Sequence, residues 1–214
     1  MVIEPIAILN QARQLNKNIL IIGTPRSGTH ALGSTFYDLD STFNNLGEIC
    51  KNDGKDPLED IEQIYNHETP TIAHIVQLSA KIALSSQVDV LKQHAIIVNL
   101  KRNNKVKQFA SWMYFHNTGG VNGQWHNHKS SDTKLQPNSV TVTPEDLDLF
   151  VVEQLTDDFF LANYVLFYEN LKFNSLAYKK NQYRFDIEEI FANLDYVKQR
   201  LTNWTYSSTY YDKH

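Results

Sequence analysis

Ile19-Leu20-Ile21-Ile22-Gly23-Thr24-Pro25-Arg26-Ser27-Gly28-Thr29-His30 decides the fold of this chain. Its apolar, β-branched half predicts a buried strand, and its glycine-punctuated half predicts a tight loop that opens a helix. Gly23 and Gly28 have the Gly-x-x-x-x-Gly spacing of a phosphate-cradling loop. Thr29-His30, however, stand where nucleoside triphosphate chemistry needs Lys followed by Ser or Thr. The loop therefore offers backbone N–H donors and the positive end of a helix dipole to an anion, without the lysine and Mg²⁺-binding hydroxyl of a triphosphatase.

Working outward, Pro5 at a first helical position opens a predicted helix over 5–16, ahead of a strand over about 18–22 and a helix over about 28–39. Asp56-Pro57 reads as the cap and first residue of a short helix. Thr71 to Leu78 reads either as a strand or as part of a buried helix running to Leu84. A helix over about 84–93 precedes the second clear strand, Ala95 to Leu100, and an amphipathic helix over about 103–116 follows. Asn117 to Ser139 has no periodicity, and at that length it is expected to be a functional or mobile loop. Thr143-Pro144-Glu145-Asp146 has the shape of a capping box and opens a helix with room to reach Asn163. Tyr164 to Tyr168 is a third strand candidate, and Asp186 caps a final helix over about 187–203. Strands alternating with helices predict an α/β fold with one parallel sheet covered on both faces and ligands at the carboxyl ends of the strands. No repeat or linker divides residues 1–214, which read as a single domain.

The chain has 214 residues, of which 42% are hydrophobic and 21% charged, as in ordinary globular proteins. A net charge of −4 argues against general nucleic-acid binding, which phosphate neutralisation drives. A basic stretch, Lys101, Arg102, Lys105 and Lys107, stands apart from that balance. Cys50 is the one cysteine, so no intrachain disulfide forms, and a reducing compartment is expected. No apolar run has the length of a membrane span and no secretory h-region opens the chain, so the expectation is a soluble, cytoplasmic protein.

Three segments, in order, carry a resemblance. Pro25-Arg26-Ser27-Gly28-Thr29 resembles the 5′-phosphosulfate loop of sulfotransferases, which use 3′-phosphoadenosine 5′-phosphosulfate (PAPS) as donor. Lys101-Arg102 with Ser111-Trp112 looks like the family's 3′-phosphate segment, where an Arg at a strand end and a Ser in the next helix hold that phosphate; Arg102 and Ser111 fit those roles, one residue further apart than in many members. Phe167-Tyr168-Glu169-Asn170-Leu171 resembles the late Arg-Tyr-Glu-Asp-Leu strand end, a fold marker without assigned chemistry. The resemblance implies a P-loop-like sulfotransferase fold, PAPS as co-substrate, no metal, and in-line transfer of a sulfuryl group to a hydroxyl or amine. The acceptor would be a small molecule, a carbohydrate or a peptide, and the sequence gives no oligomeric state.

Arg26 has the guanidinium to stabilise charge on the leaving phosphate oxygen. Ser27, Gly28, Thr29 and His30 belong to the phosphate cradle. Gly47-Glu48 follows the loop as a Gly-Glu pair does in the trehalose-type and tyrosylprotein-type branches, which implies Glu48 as the catalytic base. Those branches also lack the Arg-Lys-Gly segment near the C-terminus of the cytosolic enzymes, as does this chain. His116, His126 and His128 are rival bases near the long loop, whereas His94 precedes a strand and belongs to the other end of the sheet. His116, His126 and His128 lack a carboxylate or thiol partner to complete a metal site, so no metal is expected. Two other readings remain: a divergent P-loop kinase, and a non-catalytic nucleotide-binding or interaction module.

Overall fold

The structure, a computed structural model, describes residues 4–50, 56–65, 68–117, 135–154, 162–171 and 186–202. They fall into two compact units. The first takes the described residues up to Asn103 and those from Phe150 to Leu171; the second takes Asn104 to Leu149 and the residues from Asp186 onward.

The first unit is built on one five-stranded, wholly parallel sheet flanked by helices. Its strands are β1 (Asn18–Gly23), β2 (Asn44–Glu48), β3 (Thr71–Ile75), β4 (Ala95–Lys101) and β5 (Tyr164–Phe167), in the spatial order β2-β3-β1-β4-β5. Alternation sorts the apolar run of β1 between two faces. Ile19 and Ile21 pack with Ile72, Ile96 and Val98 beneath α1 (Pro5–Leu15) and α2 (Thr29–Leu39), through Ile8, Leu9, Leu32 and Phe36. Leu20 and Ile22 pack on the other face with Ala73, Ile75 and Ile97. That face is covered by α3 (Pro57–Tyr65), α4 (Leu78–Leu84) and α5 (Val88–His94), through Ile61, Ile64, Ala80, Leu84 and Leu91. Each fully buried isoleucine or leucine among them contributes roughly 1.5–3 kcal/mol.

Most helix boundaries follow the local chemistry. Asp56 accepts from the N–H of Leu58 at 2.9 Å and so caps α3, with Pro57 as its first residue. Asn16 ends α1 in the left-handed conformation at φ 50°, returning its N–H to Ala12 and Arg13.

Four expected elements change. β2 replaces a segment that reads as a simple exit from the loop's helix. Thr71 to Leu84 holds both of the alternatives read there, a strand ending at Ile75 and then α4 from Leu78. The helix opened at Thr143 does not reach Asn163: α7 (Pro144–Gln154) is helical as far as Gln154, and Asn163 pairs instead with β4. Its Oδ1 accepts from Ile97 N–H at 2.8 Å and its N–H donates to Ile97 O at 2.9 Å, which starts β5. The final helix is two pieces, a 3-10 turn over Ile187–Ile190 and α8 (Leu194–Thr202). Phe191 breaks it by going extended to form a parallel bridge with Val140.

In the second unit, α6 (Lys105–Asn117) stacks Phe109 on Phe191 with ring centroids 5.4 Å apart, and Lys107 pairs with Asp186 at 3.1 Å. Thr143 and Asp146 form a reciprocal box: Thr143 N–H donates to Asp146 Oδ2 at 2.9 Å, and Asp146 N–H to Thr143 Oγ1 at 3.2 Å. Most of the 117–139 loop, with His126 and His128, lies outside the described residues.

Candidate functional site

Strand order places the site. From β1 the chain leaves toward β2 and β3 on one side, and from β4 it goes on to β5 on the other. β1 and β4 are therefore adjacent strands whose connections diverge, and open parallel sheets bind ligands outside the carboxyl ends at such a point. Gly23 and Leu100 are register partners at those ends. The 23–28 loop continues from the first and Arg102 follows the second.

The loop is built by local geometry. Ser27 N–H returns to Thr24 O at 3.0 Å, Arg26 takes φ 63° and Gly28 takes φ 100°. Leu32 N–H to Gly28 O at 3.1 Å is the first hydrogen bond of α2. The N–H groups of Thr29 and His30 thus precede the first helical bond, and the helix itself provides them no acceptor. A Cβ on Gly23 would overlap Ser27 Oγ and come within 2.7 Å of Thr29 Cγ2 and 3.1 Å of the Leu100 carbonyl. One on Gly28 would drive into the Tyr168 ring. Both glycines are thus required by close approach, the second by its backbone angle as well. Thr24 Oγ1 donates to Gln154 Oε1 at 3.0 Å with both residues fully buried, which ties the loop's first turn to the end of α7.

Arg102 meets this loop. Its Nη1 donates to the Arg26 carbonyl at 3.2 Å, and its guanidinium lies 4.7 Å from the centroid of the Tyr168 ring. Tyr168 therefore touches both Gly28 and Arg102, and Glu169 accepts the N–H of Asn103 at 3.1 Å. Tyr168-Glu169, read in the sequence as a fold marker, is the clasp between the loop and the end of β4.

Glu48 arrives by a different route. β2 carries a bulge: Asn45 pairs with Ile72 and Gly47 with Ala73, leaving Leu46 as the extra residue and Gly47 at φ 72°. Glu48 is thereby set opposite His74, on the α2 face and at the carboxyl end of the sheet. His74, 2% exposed, has its Nε2 3.1 Å from Nδ1 of His30, with the rings edge-on at 87°. At that separation one of the two nitrogens carries the shared proton. Glu48, His74 and His30 thus form a series that leads from the sheet edge to the first turn of α2.

The remaining candidates divide. Ser27 is fully buried inside the loop, and its Oγ has no hydrogen-bond partner among the described residues. Ser111 is buried on α6 in the second unit. His94 closes α5 at the amino end of β4, its ring centroid 4.4 Å from that of Tyr65 and tilted by 40°. His116 lies in the second unit, its ring centroid 4.1 Å from that of Trp112 and tilted by 49°. Among the described residues no group of three or more His, Cys, Asp or Glu is arranged to hold a metal, and no helix is long and apolar enough to cross a membrane.

Sequence reading passed over His74 and Lys81. Each interrupts an otherwise apolar buried pattern, a polar residue at a core position of β3 and of α4, and that interruption is the signal that could have found them. Comparisons with protein-family models, curated proteins and solved structures found no match.

Proposed function

We propose that this protein is a PAPS-dependent sulfotransferase, moving a sulfuryl group to a hydroxyl or amine acceptor. The observation that carries the reading is the bond from Arg102 to the Arg26 carbonyl, with Tyr168 against both Gly28 and Arg102. The 23–28 loop, Arg102 and Tyr168-Glu169 lie far apart in the chain and meet at the divergence point of the sheet. The fit to a phosphate group is supported by Ser27, a fully buried hydroxyl without a partner among the described residues, inside the glycine-bounded loop.

PAPS, when bound, supplies an activated sulfuryl group and a phosphate leaving group. The N–H groups of Gly28, Thr29 and His30, with the Thr29 hydroxyl, hold the 5′-phosphate at the positive end of α2. Arg26 stabilises charge that develops on the departing oxygen, and Arg102 holds the 3′-phosphate. Glu48 takes the proton of the acceptor hydroxyl; a half-buried carboxylate beside a sheet edge is suited to that task. A divergent kinase has no lysine at Thr29 to support it. A binding module would need the loop and Arg102 but not Glu48.

Calorimetry with adenosine 3′,5′-bisphosphate and with ATP–Mg²⁺ tests the reading. The bisphosphate is expected to bind and to lose affinity by about tenfold or more in Arg102→Ala, as for a charge-assisted contact. Preference for ATP–Mg²⁺ would favour the kinase. Glu48→Gln separates enzyme from binding module: it is expected to keep bisphosphate affinity and lower sulfuryl transfer by about a hundredfold or more, the range of a general base. Unchanged transfer would remove Glu48 from that role.

A further inference from the structure

Lys81 is fully buried on α4, and its Nζ donates to the carbonyl of Gly23 at 3.0 Å. An ammonium group taken wholly out of water costs several kcal/mol before its interactions are counted, and methionine would fill similar space without that cost. This cation sits at the root of the loop. Gly23 lies directly beneath Ser27 and Thr29, which would collide with a side chain there, so Lys81 is one peptide unit from the start of α2.

We propose that Lys81 is the positioning lysine of the anion site, holding from α4 the carbonyl at the root of the loop. It acts through the Gly23–Thr24 peptide. An ammonium on the carbonyl end polarises that peptide, which strengthens the Thr24 N–H as a donor inside the loop. It also fixes the carbonyl from which the loop departs. The inference rests on the reading of the loop as an anion site, but not on the identity of the anion as PAPS.

The test uses Lys81→Met, which keeps the bulk, and Lys81→Gln, which keeps an N–H donor without the charge. Inorganic pyrophosphate and adenosine 3′,5′-bisphosphate are titrated calorimetrically into wild type and both variants, and each protein is melted without ligand. Both variants are expected to lose about tenfold or more in affinity for either ligand, counted per folded molecule. A lysine that only supports the fold would lower stability and leave affinity per folded molecule unchanged, and that result overturns the proposal. Should Lys81→Met fail to fold, wild-type affinity in Lys81→Gln overturns it equally. If wild type binds the bisphosphate and both variants match it, Lys81 is removed and the sulfotransferase reading stands. If wild type binds only pyrophosphate and the variants lose it, Lys81 stands and the PAPS reading falls. If wild type binds neither, both fall.

Discussion

Gly28 shows how one missing side chain serves two purposes. Its φ of 100° turns the chain into α2, and its lack of a Cβ lets the Tyr168 ring lie against the loop. Gly28→Ala is therefore expected to destabilise the protein by about 1–3 kcal/mol in urea denaturation, through backbone strain and overpacking. In a Tyr168→Ala background only the strain remains, so the same substitution should cost less; equal costs in both backgrounds would mean that the ring is not in its way. At this scale the loop was legible in the sequence because Gly and Pro are tied to backbone angles by sterics alone. The partners of the loop were not. Tyr168, Gln154, His74 and Lys81 reach it only through tertiary packing, and nothing in their near neighbours along the chain states that they do.

At the scale of elements, caps and apolar alternation were legible, while breaks imposed from outside were not. Asp56-Pro57 and Thr143-Asp146 carry their own hydrogen-bonding instructions and formed caps as read. Asn163 and Phe191 end or interrupt expected helices because β4 and Val140 offer their backbones a better partner. β2 escaped notice because Asn44 and Asn45 have low strand propensity and the bulge at Leu46 breaks the two-residue period ahead of Glu48. The end of α2 gives a testable case. Burial pushes the Asp40 carboxyl up, but the Thr42 hydroxyl, the Arg13 guanidinium and the Thr42 N–H outweigh it and hold it below its ordinary value of 3.8. A lowered folded-state value means that its stabilisation is complete above the ordinary value and is lost as pH falls through the lowered one. Asp40→Asn is thus expected to be less stable than wild type by about 1 kcal/mol at neutral pH, with the gap closing in acid. A gap that stays constant in denaturation curves across that range would exclude the carboxylate as its source.

For the molecule as a whole, alternating strand and helix signals specified a parallel α/β arrangement, because parallel strands need a long crossover and a helix is its usual form. Strand order was beyond reach, since β1, β3 and β4 are all apolar runs that fit a central position. Yet that order is what sets Arg102 beside the loop. It also puts the site on a clock. Gly23 gains its neighbour Leu100, and the loop gains Lys81 and Arg102, only when chain distant in sequence has come back to β1. Long-range parallel pairing is slow because loop-closure entropy comes before any contact is gained. The 23–28 turn closes by its own bond from Ser27 to Thr24, whereas its contacts with Lys81, Leu100 and Arg102 wait until those pairings form, so the loop is completed late in folding.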